Sequence, residues 1–288
     1  MTPRRATALA CLLLMGSTPV LSQAPTFSAG ISQVRVDALV TDRGRVVRGL
    51  QPSDFEVLDN GVPQSVELVT FEQVPLNVVL ALDSSESVSG ERLEHLRGAA
   101  HSLVEGLTGR DQGALVTFSH TVRRQEGLTS NVALLQTAID RVQPEGKTAL
   151  IDGAYAALML GSSNVGRSLV ILFSDGFDTA SWLTAASVLG SARRADAVVY
   201  GVSARGAAPF LRDLSEATGG SSFEVDSTKG LRAQFTAILE EFRQRYLVSY
   251  SPQGVSKDGW HRLEVRVKGR RATVKARAGY MAGATSRR

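Results

Sequence analysis

Residues 76–87 read L-N-V-V-L-A-L-D-S-S-E-S, and their pattern decides the fold. Six of the seven residues before Asp83 are apolar and none is charged, which is the signature of a strand buried on both faces. Short oxygen-bearing side chains follow at once: Ser84, Ser85, Glu86 and Ser87. Asp83, Ser85 and Ser87 alternate, so a tightly turned loop can aim three oxygens at one place. Oxygens of this kind suit Mg²⁺, Mn²⁺ or Ca²⁺ rather than zinc. D-x-S-x-S is a common string, however, and carries weight only with partners elsewhere in the chain.

Outward from that strand the pattern repeats as alternating strands and helices. Leu93, Leu96, Ala100, Leu103, Val104 and Leu107 make one apolar stripe and predict a helix over 90–107. Apolar runs predict strands over 113–119, 168–173, 197–202 and 221–225, with a short edge strand over 122–127. Helices are expected over 131–142, capped by Asn131, and over 148–160, 182–195, 209–218 and 229–244. Repeated βα units with near-continuous apolar strands call for a doubly wound α/β fold, a mostly parallel six-stranded sheet covered on both faces. In such sheets the ligand site lies beyond the carboxyl ends of the strands, at the point where the strand order reverses. The loop after Leu82 lies at such an end, and so does Ser174-Asp175-Gly176.

The flanks read differently. Residues 1–24 form an export signal, with Arg4 and Arg5 ahead of an apolar run over 6–15 and small residues at Ser22 and Ala24 where cleavage is expected. That run is too short to span a bilayer, and no other segment is long enough, so the mature chain is expected to be extracytoplasmic with no membrane span. Cys11, the only cysteine, would leave with the signal, and the remainder has neither a disulfide nor a thiol nucleophile. Residues 25–74 look like a β segment. Val34, Val36, Ala38 and Val40 alternate with polar residues, and runs at 55–58 and 66–69 flank the hairpin dipeptide Asn60-Gly61. After the α/β unit, expected over 75–242, residues 243–281 show three alternating stretches around Tyr246–Tyr250, 263–267 and 272–276, followed by a tail over 282–288. Each flank is marginal alone, so the two are expected to pack together as one small β-sandwich into which the α/β domain is inserted.

Charge divides the same way. The net +4 hides twelve Lys or Arg against two acids in residues 243–288, leaving residues 25–242 acidic. The basic strands have little aromatic interleaving for stacking on bases, and with export this argues against a nucleic-acid partner. Other chemistry finds poor support. Glu145-Gly146-Lys147-Thr148 lacks the upstream glycine of a phosphate loop, since Arg141 stands there. Neither Ser84, Ser85 nor Ser174 sits in a G-x-S-x-G elbow. His95, His101, His120 and His261 are not paired at ligand spacing and read as surface or locally bonded. Asp54, Glu56 and Asp59 read as a solvated strand face, Glu86 and Lys147 as exposed, and Asp178 as a helix cap.

D-S-S-E-S after the first strand of the unit, the threonine of G-K-T-A-L, and S-D-G after the fourth strand resemble the von Willebrand factor type A domain and its metal-ion-dependent adhesion site. The resemblance covers about residues 75–242 and implies a metal set of Asp83, Ser85, Ser87, Thr148 and Asp175. By that resemblance the hydroxyls of Ser85, Ser87 and Thr148 contact the ion directly, and Asp83 and Asp175 act largely through bound water. It implies no catalytic residue, a divalent cation with Mg²⁺ first and Mn²⁺ or Ca²⁺ as alternatives, and a protein partner that supplies an Asp or Glu carboxylate. The wider chain is similar to bacterial secreted type A proteins of the Acidobacteria kind, in its D-F-E-V-L-D-N-G stretch and in Tyr246, Val248, Tyr250, Pro252, Arg277, Gly279 and Tyr280. The expected function is an exported adhesion or scaffold module. The alternatives are a metal-dependent hydrolase or enzyme subunit, and a structural envelope protein acting through its β-sandwich.

Overall fold

A computed structural model describes residues 33–71, 74–162, 166–175, 177–204 and 208–283. The expected export signal and Cys11 lie outside the described residues, as does the end of the tail. Five strands come first: β1 (Val34–Asp42), β2 (Arg45–Val46), β3 (Phe55–Asp59), β4 (Val62–Gln64) and β5 (Leu68–Phe71). The α/β unit follows as β6 (Leu76–Asp83), α1 (Glu91–Glu105), β7 (Gln112–Phe118), β8 (Val122–Thr129), α2 (Val132–Asp140), α3 (Leu150–Gly161), β9 (Arg167–Ser174), α4 (Ala185–Ala192), β10 (Ala197–Ser203), α5 (Pro209–Thr218), β11 (Ser222–Glu224) and α6 (Leu231–Arg243). The chain closes with β12 (Tyr246–Tyr250), β13 (Gly259–Val267), β14 (Thr273–Lys275) and β15 (Gly279–Ala282).

The central sheet has the order β11-β10-β9-β6-β7-β8, parallel except for the edge strand β8. All eight residues of β6 are buried, and their alternation divides them between two cores. Val78, Leu80 and Leu82 pack with residues of α1, α2 and α6, whereas Val79 and Ala81 pack with residues of α3, α4 and α5. The uncharged run in the sequence is therefore the cost of facing helices on both sides. Strand order reverses between β6 and β9, which pair with each other, and the carboxyl ends of these two strands deliver Asp83 and Asp175 side by side.

The flanks interleave into two antiparallel sheets over one shared core. One has the order β14-β1-β12-β5 with β2 on β1, and the other has the order β15-β13-β3-β4. In both, amino-terminal and carboxy-terminal strands are hydrogen-bonded neighbours, so neither flank closes a sheet by itself. Two details depart from expectation. The return arm of the Asn60-Gly61 hairpin is Val62–Gln64, because the two left-handed residues (φ 49° and 81°) turn the chain immediately; the later apolar stretch becomes β5 and crosses to the other sheet. The carboxy-terminal flank has four strands rather than three. β15 is short, and its Gly279 is needed because a β-carbon there would stand 2.2 Å from the His261 carbonyl oxygen.

Ion pairs join the sandwich to the amino ends of the central strands. Buried Arg167, at the start of β9, donates to Asp37 at 2.6 Å, and Arg35 pairs with Asp196 just before β10. Arg245 is fully buried, lies over the Tyr200 ring and donates to the Gly219 carbonyl at 2.7 Å. The sandwich thus sits at the opposite end of the sheet from Asp83 and Asp175. Among the described residues no helix is long and apolar enough to cross a membrane.

Candidate metal centre

Asp83 is the last residue of β6 and is completely buried. One carboxylate oxygen accepts from the Ser85 amide at 2.9 Å, and the other accepts from the Ser174 hydroxyl at 2.7 Å. Burial pushes its carboxyl above the usual range, against the pull of the Ser85 and Ser174 bonds, and the nearby Asp175 adds to the rise. The Ser85 and Ser87 hydroxyls lie 2.9 Å apart, and the Ser87 hydroxyl donates to Asp175. Arg92, on α1, holds the far side: its guanidinium donates to the Ser87 carbonyl at 2.7 Å and reaches Asp175 at 3.4 Å. Four of the five expected side chains therefore form one connected cluster.

Thr148 joins through its backbone. The loop before it is stitched to the serine loop by Glu145 N–H to the Ser84 carbonyl and Glu86 N–H to the Gly146 carbonyl. The Thr148 carbonyl accepts from Thr179 and Ala180, and its N–H donates to the Thr179 hydroxyl. Gly146 is left-handed (φ 60°), and a β-carbon there would run into the His120 ring, so this turn requires glycine. Thr148 is itself buried, wedged between the Asp83 loop and the Asp175 loop.

The expected donor set is two carboxylates and three hydroxyls, and among the described residues no three His, Cys, Asp or Glu side chains gather as a metal site. Two carboxylates share this pocket of oxygens, Arg92 stands beside Asp175, and Asp83 carries the cost of burial. That chemistry fits a hard divalent cation, which would relieve both.

Residues read as bystanders mostly are. Glu86 and Lys147 are exposed, His95 bonds Thr228 at 2.9 Å, and His101 bonds Asp140 at 2.8 Å. Asp178 does cap a helix, though it is α3, whose Ile151 N–H it accepts at 3.3 Å, rather than the helix that follows it. That following helix starts at Ala185 instead of 182, since Thr184 caps it and the Trp182 and Leu183 amides are claimed by Asp152. Asp59 and His261 were expected to be solvated or near the surface, and both are fully buried. The signal was present: Phe55, Val57 and Asp59 share one face of β3, and the first two are core residues.

The model of the von Willebrand factor type A domain matches residues 77–237, and the chain belongs to that family. Inter-alpha-trypsin inhibitor heavy chain H2 of Sus scrofa is 29% identical over 123 residues, which is 38% of this chain and 13% of that protein, so the chain matches only a small part of its relative. Proximal thread matrix protein 1 from the mussel byssus, in a structure with zinc in its metal-ion-dependent adhesion site, superposes with a TM-score of 0.54 at 19% identity, over 64% of this chain and 50% of the other. A von Willebrand factor type A protein from Catenulispora acidiphila superposes with a TM-score of 0.53 at 14% identity, over 79% and 72%.

Proposed function

We infer that this type A domain is a binding module in which Asp83, Ser85, Ser87, Thr148 and Asp175 hold a divalent cation and a protein partner's carboxylate completes the coordination. One observation carries the reading: Asp83 and Asp175 stand at adjacent strand ends, linked through serine hydroxyls, at the point where the strand order of the sheet reverses. When bound, the ion supplies an electrophilic position for an incoming carboxylate. The chain does the rest. Ser174 and the Ser85 amide fix the Asp83 carboxylate, Arg92 braces Asp175 and the Ser87 carbonyl, and the Thr148 loop is locked by the backbone on both sides.

Oxygen donors favour Mg²⁺, with Mn²⁺ and Ca²⁺ as alternatives, while the zinc held by the mussel protein makes zinc a competitor to include in any titration. Capture rather than catalysis is favoured because, among the described residues, no base is hydrogen-bonded to the site's hydroxyls beyond the aspartates themselves. His95, His101 and His261 are bonded elsewhere, to Thr228, Asp140 and Asp59. Export, and with it an extracytoplasmic partner, rests on the sequence of residues 1–24 alone.

The test is to pan a random peptide library displayed on phage against the immobilised chain in Mg²⁺, with elution by chelator. Peptides bearing Asp or Glu, released by chelator and lost with Asp175→Ala, are expected. Peptides that stay bound in chelator, or that bind Asp175→Ala equally, would contradict the reading.

A further inference from the structure

The loop after Asp175 displays two aromatic side chains while committing its polar groups inward. Phe177 is 73% exposed and Trp182 is 93% exposed, the highest values among the large apolar side chains described. Looseness does not account for this. Thr179 and Ala180 donate to the Thr148 carbonyl, and Ser181 accepts from the Ile151 and Asp152 amides at 3.1 Å. Asp152 in turn accepts from the Trp182 and Leu183 amides at 2.9 Å. The loop is clamped over the start of α3, directly beside Thr148, and its aromatic side chains are left facing water. Chain length puts the Cα of Phe177 no more than about 7.6 Å from that of Asp175.

These facts constrain the ligand. With Asp178, Ser181 and Asp152 already bonded, the face offers contact area with few free hydrogen-bond partners. An apolar side chain suits such a surface, whereas a sugar would leave its hydroxyls unmatched. Charge narrows the choice further. Once a divalent ion is bound, its charge and that of Arg92 beside Asp175 draw an acidic side chain to the centre itself.

We propose that Phe177 and Trp182 form an aromatic rim that reads the residue next to the captured carboxylate, so that the partner is a protein segment with an Asp or Glu beside a large apolar side chain. This rests on the reading of the site as a carboxylate-capturing cation centre. The two aromatics bury against the partner's apolar side chain, and the ion and its ligands select the acid.

The experiment is to pan the same phage library on the parental chain and on the double variant Phe177→Ser/Trp182→Ala, and to measure Mg²⁺ binding and thermal unfolding of both. Both side chains are exposed, so the variant is expected to unfold at the parental temperature and to bind Mg²⁺ with parental affinity. Peptides from the parental chain should carry Phe, Trp, Leu or Met adjacent to the acid. Their affinity should fall about tenfold or more in the double variant, as for hot-spot aromatics, and peptides selected on the variant should keep the acid and lose its apolar neighbour. An acid-only consensus, with affinity unchanged in the double variant, overturns the rim and leaves carboxylate capture standing. Peptides that are apolar and bind in chelator overturn both. Trp182-dependent binding to a glycan array would also overturn the proposal.

Discussion

Two carboxylate clusters lie at opposite ends of this molecule, built from similar parts to different effect. At the carboxyl end of the sheet, Asp83 and Asp175 are surrounded by hydroxyls that can accept as well as donate, and a second carboxylate raises the cost of ionising Asp83. In the sandwich, Asp59 meets donors on every side. One oxygen faces His261 Nδ1 at 2.7 Å, and the other accepts from the Tyr250 and Tyr280 hydroxyls, both at 2.8 Å. Burial, with Asp59 beside them, pushes both phenols well above their ordinary range, so they remain donors. The Asp59 carboxylate is satisfied from within the chain, whereas on the proposed reading the Asp83–Asp175 pair is completed by an ion from outside. A count of acidic residues does not separate a structural cluster from a binding site. The balance of donors and acceptors around them does.

Removing Asp59 gives the largest effect. Asp59→Ala leaves His261 and two phenol hydroxyls without their shared acceptor in a closed core, and is expected to cost about 3–5 kcal/mol in denaturant unfolding. Because the sandwich sits at the far end of the sheet, variant that remains folded should bind Mg²⁺ with parental affinity; loss of both together would break the contrast. Tyr280→Phe removes one donor while a second persists on the same oxygen, and should cost about 1–2 kcal/mol in the same measurement.

The metal end has the opposite sign. A carboxyl whose folded pKa is raised stabilises the fold below its unfolded value and loses that contribution as pH rises through its folded value. In chelator, therefore, ionisation of Asp83 should lower stability as pH rises from the acid side toward neutrality. Bound Mg²⁺ should offset this, so the gap between melting temperatures with and without Mg²⁺ is expected to open as pH rises and to close in acid. A gap that is constant with pH would separate Asp83 from the ion. Asp83→Asn should raise the melting temperature in chelator at neutral pH while weakening Mg²⁺ binding, whereas Asp59→Asn should lower it.

The two clusters also differ in how far the sequence reveals them. Asp83, Ser85 and Ser87 are contiguous and follow a strand whose uncharged run is plain, and Thr148 and Asp175 fall where alternating strands and helices place loop ends. The doubly wound sheet was legible for the same reason, because its period is local. Asp59, Tyr250, His261 and Tyr280 come from four strands, β3, β12, β13 and β15, and only tertiary pairing brings them together. Their phase along each strand marked them as inward-facing, yet Glu56 and the basic neighbours of His261 suggested a solvated face. β15 was too short to announce itself. The clamp between Asp152 and the amides of Trp182 and Leu183 was hidden likewise, since nothing local says that a residue in α3 shapes the loop before α4.

The central claim is that the Asp83–Asp175 cluster is a cation site held ready by the fold. Calorimetric titration of the purified, chelator-stripped chain with Mg²⁺, beside Asp175→Ala, tests it most directly. One equivalent bound by the parental chain and none by the variant, with the two unfolding alike in chelator to within about 1 kcal/mol, is the predicted result. No heat of binding from the parental chain with Mg²⁺, Mn²⁺ or Ca²⁺, or equal binding by Asp175→Ala, would contradict it.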